Sequence, residues 1–116
     1  MYNVISYIRS DNDCPFTDYL ESLRRSGAKK DIAKILAVVD QLKNRGAQEL
    51  VRTELAEKMN DVWQLRPKPY RIFFFFDPGR QRYVLLQGYR KKSQKTPPHE
   101  IERAERLRIE YYRRDH

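Results

Sequence analysis

The chain has 116 residues, with 24 Lys and Arg against 16 Asp and Glu, a formal net charge of +8 and a pI near 9.7. That length is one domain, residues 1–116, able to bury roughly two thirds of its unfolded surface and so to form a core without disulfides or a structural metal. Cys14 is the only cysteine, which excludes disulfide scaffolds and Cys/His zinc sites and predicts a cytoplasmic setting; no apolar run reaches the length of a membrane span, and Met1–Arg9 has no secretory-signal pattern.

In chain order, Tyr2–Ile8 is uncharged and β-rich and predicts a first strand, at an edge or second position of the sheet. Phe16, Leu20 and Leu23 recur at helical spacing up to Ser26-Gly27, and Ile32, Ile35, Leu36, Val39 and Leu42 do so up to Gly46, which predicts two amphipathic helices. Ala47–Met59 carries only a weak apolar pattern and reads as an irregular connection. Val62–Arg66, Tyr70–Phe76 and Tyr83–Tyr89 are short aromatic and branched runs separated by Pro67-Lys68-Pro69 and Asp77-Pro78-Gly79-Arg80, the pattern of an antiparallel meander. Thr96-Pro97 predicts a helix start, with a hydroxyl N-cap and proline at the first helical position; Ile101, Ala104, Leu107 and Tyr111 then share a face. The order β-α-α-β-β-β-α predicts an α+β domain, a mainly antiparallel sheet with helices packed on it.

Charge is concentrated in one stretch. Between Val62 and Lys95 lie nine basic residues and one acid, Asp77, which accounts for the whole net charge. A concentrated basic surface is the footprint of a polyanion binder, because neutralising phosphates releases their condensed counterions; charge also serves solubility.

Strand alternation places these charges. If Arg66 pairs with Arg71, then Trp63, Leu65, Tyr70, Ile72, Phe74 and Phe76 share a core face, and Gln64, Arg66, Arg71, Phe73 and Phe75 share the other. If Arg71 also pairs with Gln87, then Tyr83, Leu85, Gln87 and Tyr89 join that second face. A one-residue slip in either hairpin would scatter the group. Two arginines directly opposed repel unless an anion lies between them, or unless each is satisfied separately by a carboxylate or a helix C-terminus. The loop Arg90-Lys91-Lys92-Ser93-Gln94-Lys95 leads from the last strand into the last helix, whose N-terminus offers free N–H groups to phosphate. His99 and His116 have no acidic cluster beside them, so neither a metal site nor a nucleophilic triad is expected.

Asp61-Val62-Trp63-Gln64-Leu65-Arg66, Tyr70-Arg71-Ile72-Phe73-Phe74 and Leu85-Leu86-Gln87-Gly88-Tyr89-Arg90-Lys91-Lys92-Ser93-Gln94-Lys95-Thr96-Pro97, followed by Glu100-Ile101 and Ala104, resemble the phage-derived, HigB-like branch of the RelE/ParE toxin superfamily. The resemblance implies the toxin of a type II toxin-antitoxin pair: a ribosome-dependent endoribonuclease that cuts messenger RNA in the decoding site, needs no cofactor or metal, and is held by an antitoxin, expected to carry a helix-turn-helix. It implies catalytic roles for Arg66, Arg71, Tyr89, Lys91, Lys92 and Lys95, and RNA contacts that also draw on Lys68 and Arg90. Gln64 stands where the family usually has glutamate, Gln87 where histidine is common, and Tyr89 where phenylalanine is usual. The site so read has many cations and no carboxylate or imidazole base. A same-fold toxin acting on a protein such as DNA gyrase, and a basic RNA-binding module that has lost catalysis, are the alternatives.

Overall fold

The computed structural model describes residues 1–115, and side chains as far as Arg114; His116 lies outside the described residues. Nine elements follow one another: β1 (Asn3–Ser6), α1 (Pro15–Arg25), α2 (Lys29–Arg45), α3 (Ala47–Arg52), β2 (Ala56–Met59), β3 (Val62–Leu65), β4 (Tyr70–Asp77), β5 (Arg82–Arg90) and α4 (Pro98–Asp115). The five strands form one mixed sheet in the order β1-β5-β4-β3-β2, antiparallel except where β1 runs parallel to β5. The α+β class is as the sequence predicts.

The segment expected to be irregular is ordered. Ala47 and Leu50 of α3 are buried, and β2 pairs along β3 with Glu57 and Lys58 exposed, so a short half-buried helix and a polar edge strand give only a weak periodic signal. Helix α2 ends at Gly46, whose φ is +82° and whose missing Cβ leaves room for the Tyr2 ring; a methyl there would lie 2.7 Å from it. On α2, Val38 is buried while Leu36 faces solvent.

The sheet carries a core on each face. Helices α1–α3 cover the face bearing Leu65, Tyr70, Ile72 and Phe74, with Trp63 and Phe76 packed against it. Helix α4 covers Phe73, Phe75, Val84, Leu86 and Tyr89 with Ala104, Leu107 and Tyr111. The first hairpin has the expected register, Trp63 opposite Phe74 and Leu65 opposite Ile72. The second does not. Phe75 pairs with Val84 and Phe74 with Leu85, so Tyr83 and Leu85 lie in the α1–α3 core, against expectation. Between the pairs Phe74–Leu85 and Ile72–Gly88, β5 has two residues, Leu86 and Gln87, opposite the single Phe73. This β-bulge shifts the register by one, and beyond it Tyr89 stands opposite Arg71.

The last helix begins one residue later than expected. Pro98 is its first residue, and the Pro97 carbonyl accepts from the Glu100 N–H at 3.0 Å. Thr96 is therefore not the N-cap; its hydroxyl meets the Gln64 amide instead.

Candidate functional site

The cationic residues gather where β4 begins and β5 ends. Arg71 starts the α4-facing side of β4 and is 4% exposed. Its Nη1 donates to the Tyr70 carbonyl at 2.9 Å, and no carboxylate meets it among the described residues. Burial, and then the neighbouring Arg66 charge, pull it below the ordinary arginine range. An arginine still keeps its proton at neutral pH, so this is a desolvated positive charge awaiting a counter-charge. Arg66 lies one step past the Leu65–Ile72 pair, half-buried; its backbone N–H bonds the Leu55 carbonyl at 2.9 Å.

Beside Arg71 is a shallow concavity of about 380 Å³, whose walls include Lys68, Pro69, Lys91 and Lys92. The Lys91 N–H bonds the Pro69 carbonyl at 2.9 Å, which fixes the start of the basic loop against the β3–β4 turn. Arg90 and Lys92 are exposed and reach a second groove on the α1 side. Lys95 is exposed and lines neither. Of the residues singled out from the sequence, Lys68, Arg71, Lys91 and Lys92 thus share one concavity, Arg66 acts on Arg71 through its charge, and Lys95 stands apart.

Tyr89 stacks on Phe73 with ring centroids 5.9 Å apart, and its hydroxyl oxygen accepts from Gln64 Nε2 at 3.2 Å. Gln64 and Gln87 are each 1% exposed. Gln64 also donates to Thr96 Oγ1 at 3.4 Å, and Gln87 Nε2 donates to the Glu100 carbonyl at 3.0 Å. These two glutamines fasten the far end of the basic loop to the sheet.

Buried polar atoms are normally paired. Among the described residues three are not: Arg66 Nε, Gln87 Oε1 and Tyr19 Oη. All three belong to this end of the sheet, where Tyr19 packs on Gly88 so closely that a Cβ there would fall 2.6 Å from its ring.

Two expectations change. Pro97 and Pro98 have no N–H, and the Glu100 and Ile101 N–H groups both turn to the Pro97 carbonyl, so the α4 N-terminus offers little to phosphate. The site also has an acid at its rim: Glu100, part-buried, with His99 Nε2 at 3.5 Å. A lone glutamate in a first helical turn gives no sequence signal of a site; only the fold brings it there.

A family model for "Phage derived protein Gp49-like" matches residues 19–108, from the middle of α1 to the middle of α4. The chain belongs to the Gp49-like family. No curated protein matches it. The matched span holds every cation of the site, and the family is one of phage-derived, toxin-like proteins. In this Gp49-like chain the desolvated Arg71 and the lysines around it, Lys68, Lys91 and Lys92, form a set of donors suited to a phosphate.

Proposed function

We propose that this Gp49-like chain is the toxin of a type II pair, of the HigB-like branch of the RelE/ParE superfamily, and a ribosome-dependent endoribonuclease of the cytoplasm. The observation that carries this reading is Arg71, a buried cation with no carboxylate in ion-pair contact among the described residues, bordering a concavity lined by lysines. In the reaction a ribose 2′-oxygen attacks the adjacent phosphorus. The 2′-O–P bond forms, the P–O5′ bond breaks, the 2′-hydroxyl loses a proton and O5′ gains one, leaving a 2′,3′-cyclic phosphate and a 5′-hydroxyl. Negative charge grows on the non-bridging oxygens and on O5′, where fixed guanidinium and ammonium donors stabilise it. Arg66 and Arg71 clamp the phosphate, Lys91 or Lys92 faces the leaving oxygen, and Tyr89 stacks on a nucleobase or moves a proton. In-line geometry comes from the ribosome's grip on the message, worth several powers of ten.

Its partners in this reading are messenger RNA on the ribosome and an antitoxin carrying a helix-turn-helix, with acidic or helical surface toward the basic face. The test is primer extension on translated and on purified copies of one message, with wild type and Arg71→Ala. Cuts within codons of the translated message alone, absent with Arg71→Ala, are expected. Equal cutting of both substrates would remove the ribosome requirement; no cutting of either would favour a protein target such as DNA gyrase or a non-catalytic RNA binder.

A further inference from the structure

Strand β5 outruns its outer neighbour. β1 pairs with it only from Arg82 to Leu85, so beyond that point β5 has β4 on one side and, among the described residues, no strand on the other. A groove of about 720 Å³ lies there, walled on one side by Tyr19 and Ser22 of α1, on the other by Ser93 and Glu100, with Gly88 and Tyr89 between. It joins the cationic concavity through Lys92 and Ser93, which line both.

The two depressions differ in chemistry. Arg90 and Lys92 reach the groove at its mouth on the basic loop, while Glu100, the only acid among the described residues of its lining, sets a carboxylate on the α4 wall, where it repels phosphate. What fits beside it is a neutral group rich in N–H donors. The Glu100 side chain is 18% exposed, and its one partner among the described residues is His99 at 3.5 Å, so its oxygens are free to accept hydrogen bonds. Its charge reaches Tyr19 on the facing wall, whose buried hydroxyl, pushed up chiefly by that burial, has no hydrogen-bond partner among the described residues. An anion clamp contiguous with a pocket that offers an acceptor pair and aromatic rings matches one nucleotide: phosphate in the first, base in the second. Unstacked RNA bases are read in this way, on aromatic rings and by hydrogen bonds to their Watson–Crick edge. Guanine alone presents two adjacent donors there, N1–H and N2–H, to match two carboxylate oxygens, since adenine and cytosine pair a donor with an acceptor and uracil has a single N–H.

We infer that the groove between α1 and the start of α4 is a base-specificity pocket that takes guanine next to the clamped phosphate, with Glu100 reading its Watson–Crick edge. This rests on the nuclease reading and names the nucleotide that its site selects.

The test is an NMR titration of the full chain with the four ribonucleoside 3′-monophosphates and with inorganic phosphate. GMP is expected to shift the amides of Gly88, Ser93 and Glu100 and to bind about tenfold more tightly than AMP, in keeping with what one bidentate base contact discriminates. Glu100→Gln, equal in size, should bring GMP down to the AMP level while phosphate binds as before near Arg71. Equal affinities in wild type, a preference that survives Glu100→Gln, or shifts confined to the Lys68–Lys92 concavity would each overturn the pocket. The titration needs no ribosome. A chain that prefers GMP here yet spares translated messages keeps the pocket and loses the nuclease reading; one that cuts translated messages but shows no base preference does the reverse.

Discussion

Strand β4 carries a buried charge at each end of its α4-facing side, and the two are treated oppositely. Asp77 is 1% exposed and its carboxylate is fully occupied: Oδ1 accepts from the N–H groups of Gly79 and Arg80, and Oδ2 accepts from the Tyr111 hydroxyl at 2.5 Å. Arg82 in turn donates two hydrogen bonds to the Tyr111 oxygen. Burial alone would push Asp77 up; these bonds and the Arg82 charge outweigh it and hold the acid below its ordinary range. Arg71 has one backbone carbonyl as hydrogen-bond partner; burial and the Arg66 charge outweigh the weaker opposing influence of Tyr89 and the Glu57 carboxylate, which makes no ion pair with it among the described residues. One end spends its polar groups on holding the hairpin and α4 together, while the other leaves a charge unsatisfied at the edge of a concavity. The first is how a fold uses a buried ion; the second is what the proposed anion site requires.

The largest expected effect lies at the satisfied end. Asp77→Ala strands the Tyr111 hydroxyl, two backbone N–H groups and Arg82, and should cost about 3–5 kcal/mol, a large part of the stability of a chain this size. Urea unfolding measures it, and a loss below about 1 kcal/mol would mean that the network holds nothing.

Arg71→Met should do the opposite. It replaces a desolvated cation with an apolar chain of similar length, so stability should stay level or rise by about 1 kcal/mol, while growth arrest on expression disappears. A variant that unfolds, or stays toxic, would place Arg71 in the fold rather than in the site.

The smallest effect is with pH. Asp77 and Glu110 titrate below their unfolded values, Glu110 chiefly through its hydrogen bond from Arg9. Folded carboxylates of this kind bind protons less readily than the unfolded chain. Their contribution is complete above about pH 5 and is lost as pH falls through the unfolded values near 4 and then the lower folded ones. Unfolding free energy measured from pH 7 to 3 should therefore be flat and then drop, with a shallower drop in Asp77→Asn; an unchanged drop would assign the acid limb to other groups.

Much of this contrast is visible in the sequence, but not all. Arg66, Arg71 and the lysines after Tyr89 stand out because alternation across the proline-bounded turn gives the first hairpin its register, and that register holds at Leu65–Ile72. The second hairpin misleads because a bulge leaves no mark in a run such as Leu85-Leu86-Gln87, where either face accepts Leu; Tyr83 and Leu85 therefore land opposite to expectation, while Gln87 and Tyr89 end where expected for a different reason. Strand β2 is hidden by its polar edge residues Glu57 and Lys58. Two consecutive prolines make the start of α4 ambiguous by one residue. Tyr19 and Glu100 come from helices far apart in sequence, and only their packing against the end of β5 makes them neighbours of the cations.

The rung at Phe73 carries two side chains on the same side of β5, and only one of them is required by the ladder. Leu86 fills the core under α4; Gln87 reaches past it to the Glu100 backbone. With Gln87 removed, the remaining residues could pair without a break, Leu86 opposite Phe73, Gly88 opposite Ile72 and Tyr89 opposite Arg71. A deletion between Tyr83 and Leu85 has no such slack, because it would drag the aromatic and aliphatic residues of β5 to the wrong sides. The strand thus contains a single spare residue, and it is the one that ties down the start of α4. Assembly of the sheet and placement of the basic loop are in this sense separately encoded, and a change of one residue in length can unfasten the second while leaving the first intact.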